Sequence, residues 1–139
     1  MLRRLVEAGG FVIAAEALLA EDPSALREQV AGLVGAGTVD AVLITGGTGV
    51  APRDRTPEAI GPLFELRIPG FGELFRMLSF QAIGPAAMLS RAEAGVIGGV
   101  PVFLLPGSPA AVELAVEKLI VPELAHIVGQ LRRPAKGGS

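Results

Sequence analysis

The sequence predicts an α/β domain: a three-layer α/β/α sandwich around a mostly parallel sheet with one antiparallel hairpin strand. Three observations predict it. The chain is 50% hydrophobic but only 4% aromatic, with no Trp or Tyr, the aliphatic mix of strands buried on both faces. Short apolar runs alternate with stripes of helical period. Two of those runs, Val42–Ile44 and Val102–Leu105, lead directly into Gly- or Pro-rich loops followed by helices. A length of 139 residues suits one domain; its expected extent is 1–133, with 134–139 a flexible tail.

The elements follow in order. Leu2, Leu5 and Val6 keep helical spacing, and Gly9-Gly10 ends that helix. Phe11 to Leu19 is β-prone with one charge, Glu16, and predicts a strand. Asp22-Pro23 is an N-cap followed by proline at the first helical position. The stripe Leu26, Val30, Leu33, Val34 then runs to Gly35 and Gly37. Val42-Leu43-Ile44 predicts a buried strand. Thr56-Pro57-Glu58 opens a helix, and Phe71 to Leu78 is a second one after Pro69-Gly70. Glu93–Ile97, Gly98-Gly99 and Val100–Leu105 form a hairpin with a two-residue turn. A helix striped by Val112, Ala115, Val116, Leu119 and Ile120 follows, and Pro122 starts a last short one.

Composition narrows the function. The net charge of -2, without a dense Lys/Arg run, does not point to nucleic acid. The absence of Cys excludes disulfides and thiolate metal sites, and a lone His126 cannot build a zinc site. No apolar run approaches the roughly 20 residues of a membrane span, and no signal-peptide pattern opens the chain. A cytoplasmic protein is expected.

Ligands of open α/β sheets bind beyond the carboxyl ends of strands. After Val42–Ile44 comes Thr45-Gly46-Gly47-Thr48-Gly49. Its glycines admit positive φ and close ligand approach, and successive amides can form an anion-binding concavity. Thr45 and Thr48 add hydroxyls. The string is neither a P-loop nor a dinucleotide fingerprint; a tight strand-to-loop turn is the plainer reading. Arg53-Asp54-Arg55 follows. Arg53 and Arg55 could hold phosphates as planar donors, and Asp54 could hold magnesium beside them. A surface ion pair with Thr56 as N-cap would explain the same residues structurally. The second loop, Pro106-Gly107-Ser108-Pro109, follows Val102–Leu105, and Ser108 also reads as an ordinary N-cap.

Taken together, the string Thr45 to Glu58 resembles the signature of molybdenum-cofactor biosynthesis proteins of the MoaB/MogA type. Pro69-Gly70-Phe71-Gly72-Glu73, Phe75 to Phe80, Leu89-Ser90-Arg91, Ala94-Gly95 and Leu105 to Pro109 continue the match in order. The resemblance implies molybdopterin as ligand and, in several members, adenylylation of its terminal phosphate by ATP with Mg2+. By that resemblance Gly46 to Gly49 would cradle phosphate, and Asp54 matches a functionally important aspartate. One of Glu21 and Asp22 matches a second acidic residue. Ser90 and Arg91 match a Ser-Arg step near the pterin, and Ser108 matches the serine of the Pro-Gly-Ser loop. The resemblance also implies a homo-oligomer, a trimer or dimer of trimers.

Two departures stand out. Ala110 occupies a position where, by the resemblance, many members carry lysine, so one phosphate contact is expected to be missing. The chain also begins within what would be the family's first helix, so that the family's first, central strand is expected to be missing, leaving a gap between Phe11–Leu19 and Val42–Ile44. A molybdopterin carrier without turnover, or an oligomeric scaffold like the related G domain of gephyrin, are the alternatives to an adenylyltransferase.

Overall fold

The computed structural model describes residues 1–19 and 22–134. Helix α1 spans Leu2–Ala8. Helix α2, Pro23–Ala36, starts where the Asp22 carboxylate accepts the Ser24 amide at 3.0 Å, and it stops at Gly37, whose φ of 69° only glycine adopts freely. Strand β1 is Val42–Thr45. Helix α3, Thr56–Ile60, and the two-residue strand β2, Leu66–Arg67, precede the longer helix α4, Pro69–Ile83. Strands β3, Glu93–Ile97, and β4, Val100–Leu105, form the expected hairpin. Gly98 and Gly99 both take positive φ, as a type I′ turn requires.

The sheet order is β1-β4-β3-β2. β1 pairs parallel to β4 from Val42↔Val102 to Thr45↔Leu105. β3 runs antiparallel to β4 and to β2. Three strands therefore share one direction and β3 alone opposes them, although two of the three ladders are antiparallel.

The central strand β4 explains the layers. Val102 and Leu104 face one side, packing with Val30 of α2, Val42 of β1, and Ala59 and Ile60 of α3. Phe103 and Leu105 face the other, packing with Phe71 and Phe75 of α4 and with Val112, Val116, Ile120 and Leu124 further along the chain. The Phe71 ring meets Phe103 edge-on at 5.2 Å. Each of these large side chains, buried outright, contributes about 1.5–3 kcal/mol relative to exposure.

Three expectations are corrected. Phe11–Leu19 is not a strand. Its β-prone residues have no ladder partner: β1 is an edge strand whose outer side pairs with nothing among the described residues, and Val12 and Leu18 are 87% and 101% exposed. An unpaired extended segment gains none of the cross-strand contacts that stabilise a strand. α4 also runs past Leu78 to Ile83. Finally, Pro122 does not begin a separate helix. Helix α5, Pro109–Ala115, passes through a π turn, Val116–Ile120, directly into helix α6, Val121–Leu131. Proline has no amide to donate to the preceding turn, and the widened turn, in which the Val121 amide reaches Val116 O, carries the helix through this stretch. The expected tail lies mostly outside the described residues.

Candidate functional site

The site is built where β1 and β4 end side by side. Gly46 leaves β1 with φ 97° and Gly47 continues at 72°. The Gly46 amide donates to Leu105 O at 2.8 Å, tying the glycine loop to the end of β4. The second loop lies against it: a Cβ on Gly107 would be 3.5 Å from the Gly46 Cα. Ser108 caps α5, its hydroxyl accepting the Ala111 amide at 3.2 Å. The two loops singled out in the sequence are thus one continuous surface, with Thr45 exposed at its origin and Pro106 partly covered.

The glycine loop is held from inside. Thr56 donates its hydroxyl to Gly46 O at 2.9 Å and its amide to Gly47 O at 3.0 Å. A Cβ on Gly47 would lie 2.2 Å from the Thr56 hydroxyl, so this position requires glycine twice over. Thr48, expected to offer a hydroxyl, is only 2% exposed.

Asp54 folds back over the loop. Its Oδ2 accepts the Ala51 amide at 3.0 Å, and a Cβ on Gly49 would be 2.8 Å from that same oxygen. Beside it opens a cavity of about 290 Å³, lined by Val50, Ala51 and Pro52 together with Asp54, Arg55, Glu58 and Arg91. Arg91 reaches across from the strand-β3 side. Its backbone amide donates to Thr48 O at 2.7 Å, its Nε to Gly49 O at 2.7 Å and one Nη to Asp54 O at 2.7 Å, while the other Nη pairs with Glu58. That hydrogen bond to Arg91 lowers the Glu58 carboxyl below its ordinary range and raises Arg91 further above its own.

The remaining sequence candidates are placed as follows. Ser90 accepts the Ala92 amide with its hydroxyl, and its carbonyl accepts Arg76. Arg53 is exposed and outside the cavity lining. Asp22 serves as the α2 cap and is also outside that lining. Glu21 lies outside the described residues. Arg55, one of the two expected phosphate donors, does line the cavity. So does Glu58, which in the sequence reads as a helix-start acid although it closes the same contiguous motif.

Among the described residues no three His, Cys, Asp or Glu side chains group as a metal cage. Two carboxylates line the cavity, and Glu58 is already engaged by Arg91. Asp54 keeps its Oδ1 without a hydrogen bond among the described residues. That donor set fits a magnesium ion completed by substrate phosphates rather than a protein-only site. No described helix is long and apolar enough to cross a membrane.

Known proteins share both sequence and fold. Residues 1–126 match the family described as "Probable molybdopterin binding domain". Molybdenum cofactor biosynthesis protein B of Bacillus subtilis (strain 168) is 52% identical over 134 residues, covering 96% of this chain and 78% of that protein. A crystal structure of a molybdenum cofactor biosynthesis protein B superposes with a TM-score of 0.92 at 44% identity, covering 96% of this chain and 83% of that one. The molybdopterin biosynthesis enzyme MoaB of Thermus thermophilus gives 0.84 at 35% identity, covering 94% and 80%. With the glycine loop meeting the Pro-Gly-Ser loop at one end of the sheet and Asp54 of the Arg-Asp-Arg string folded over Gly49, the chain belongs to the molybdopterin-binding-domain family of molybdenum cofactor biosynthesis proteins, of the MoaB/MogA type.

Proposed function

We propose that this chain acts in molybdenum cofactor biosynthesis by binding molybdopterin and adenylylating its terminal phosphate with Mg-ATP. The observation that carries the reading is the contact between the glycine loop and the Pro106-Gly107-Ser108 loop at the ends of two adjacent parallel strands. Two phosphate-bearing reactants must meet for this reaction, and two anion-suited loops meet here.

In the proposed reaction an oxygen of the molybdopterin phosphate attacks the α-phosphorus of ATP. A new P–O bond forms, the bond to the α–β bridging oxygen breaks, and pyrophosphate leaves with that electron pair. The nucleophile is an ionised phosphate, so no general base is required. The chain's part is positioning and charge. The glycine loop lets a phosphate approach the backbone. Arg55, with Arg53 nearby in sequence, supplies planar donors. Asp54 would hold the magnesium that accompanies ATP, and the ion supplies charge neutralisation between phosphates.

Incubating the protein with molybdopterin and Mg-ATP tests this directly: adenylylated molybdopterin and pyrophosphate should appear together. Tight molybdopterin binding without product would favour the carrier reading, which Ala110, exposed at the position where the family resemblance implies lysine, supports. Neither binding nor product would leave an interaction scaffold. Self-association goes with any of these readings: Leu74, Met77, Phe80 and Ile83 of α4, with Met88 and Leu89 just beyond, are apolar and exposed.

A further inference from the structure

We infer that Arg91 is a positioning residue, a clamp that sets the shape of the loop between β1 and α3, and that its guanidinium is engaged by the protein rather than by the ligand. The Nε and the Nη that bond Gly49 O and Asp54 O lie on one edge of the guanidinium, each at 2.7 Å. Those two carbonyls mark the beginning and end of the Gly49–Asp54 excursion that walls the cavity. A single planar fork therefore ties both ends of the excursion to the start of β3. The other Nη pairs with Glu58 on α3, and the Arg91 amide adds a bond to Thr48 O. Loop, strand and helix converge on one side chain. Its charge is neutralised by Glu58, whereas Arg55, which also lines the cavity, makes no ion pair among the described residues. Arg55 is the cation left for an anionic ligand.

The geometry requires arginine. A lysine ammonium is a point charge that cannot span two carbonyls in a plane and reach a carboxylate as well. A direct ligand contact would behave differently, since lysine preserves the charge. The effect on binding rests on the proposed Mg-ATP reading; the clamp itself does not.

The test is amide hydrogen exchange on Arg91→Lys and Glu58→Gln, first without ligand. In Arg91→Lys the amides of Ala51, Asp54 and Thr56 should exchange about tenfold faster or more, while those of the β3–β4 hairpin keep their wild-type rates. The apparent Kd for Mg-ATP should rise by about tenfold, as the competent loop population falls, and saturating Mg-ATP should restore loop protection. Arg91→Ala should look the same, with no rescue by lysine. Unchanged loop exchange with weakened Mg-ATP binding would overturn the clamp and make Arg91 a ligand contact. Should Arg91→Lys loosen the hairpin too, Glu58→Gln decides, because it removes the ionic hold that α3 keeps on the guanidinium without altering Arg91 itself: faster loop exchange with a normal hairpin supports the clamp, and an unchanged loop overturns it. Absence of any Mg-ATP effect on the wild type would defeat the proposed function, and the ligand-free comparison would still judge the clamp.

Discussion

Gly47 and Thr56 stand so close that a methyl group on Gly47 would lie 2.2 Å from the threonine hydroxyl, which itself donates to Gly46 O. Gly47→Ala must both move Thr56 and hold alanine at a φ of 72°. Overpacking of this kind costs about 1–3 kcal/mol. The melting temperature should fall by several degrees, at about 2–4 °C per kcal/mol for a domain of this size. Thr56→Ser, which keeps the hydroxyl, should melt near the wild type. A Gly47→Ala protein as stable as the parent would contradict the contact.

Asp54→Asn separates charge from shape. The amide oxygen can still accept from Ala51, so the loop should keep its fold, but the anionic oxygen beside the cavity is lost. Adenylyl transfer should fall by about a hundredfold or more, with molybdopterin affinity largely retained. Calorimetry and single-turnover product formation measure the two separately. Undiminished turnover would remove Asp54 from the mechanism.

The Glu58–Arg91 pair predicts a pH window. Pairing depresses the folded-state pKa of Glu58, so its contribution is fully present above the ordinary glutamate pKa of about 4.3 and is lost as pH falls through the lower folded value. Loop exchange, corrected for intrinsic rates, should be flat from neutrality down to that point and then accelerate. Both partners are partly exposed, so the effect on global stability should be small. Glu58→Gln should abolish the acid step; a step that persists belongs to another group.

The exposed apolar residues of α4 predict an assembly. Phe80 is 58% exposed and Met77 50%. A symmetric interface would cover such side chains, and a trimer or dimer of trimers is expected by light scattering at micromolar concentration. Met77→Lys combined with Phe80→Glu should shift the mass to monomer while leaving the far-UV spectrum unchanged. A wild-type monomer would refute this assembly.

Much of this architecture could be read in the sequence because its signals are local. Gly98-Gly99 specifies the hairpin turn, Asp22-Pro23 and Gly37 bound α2, and the glycine string identifies the loop after β1. Phe11–Leu19 misleads because β propensity describes a surface waiting for a partner, and pairing is a tertiary fact. The two-residue β2 is too short to carry a period. In the site, Asp54 stands out from its neighbours in the chain, but the work of Arg91 does not, since Gly49 and Asp54 are brought to it only by folding. Glu58 likewise reads as a helix-start acid until Arg91 arrives beside it.

The parallel pairing of β1 with β4 also has a consequence during synthesis. Chains emerge from the ribosome at about 5–20 residues per second. The complete glycine loop leaves well before Val102 to Leu105, the residues that β1 pairs with. The hairpin can close as soon as it emerges, whereas the β1 ladder joins segments about 60 residues apart and is slow on loop-closure grounds. A nascent chain therefore carries a finished glycine-loop sequence but no Leu105 carbonyl to anchor Gly46 and no Gly107 to lie against it, and the two loops come together only when the β1–β4 ladder closes.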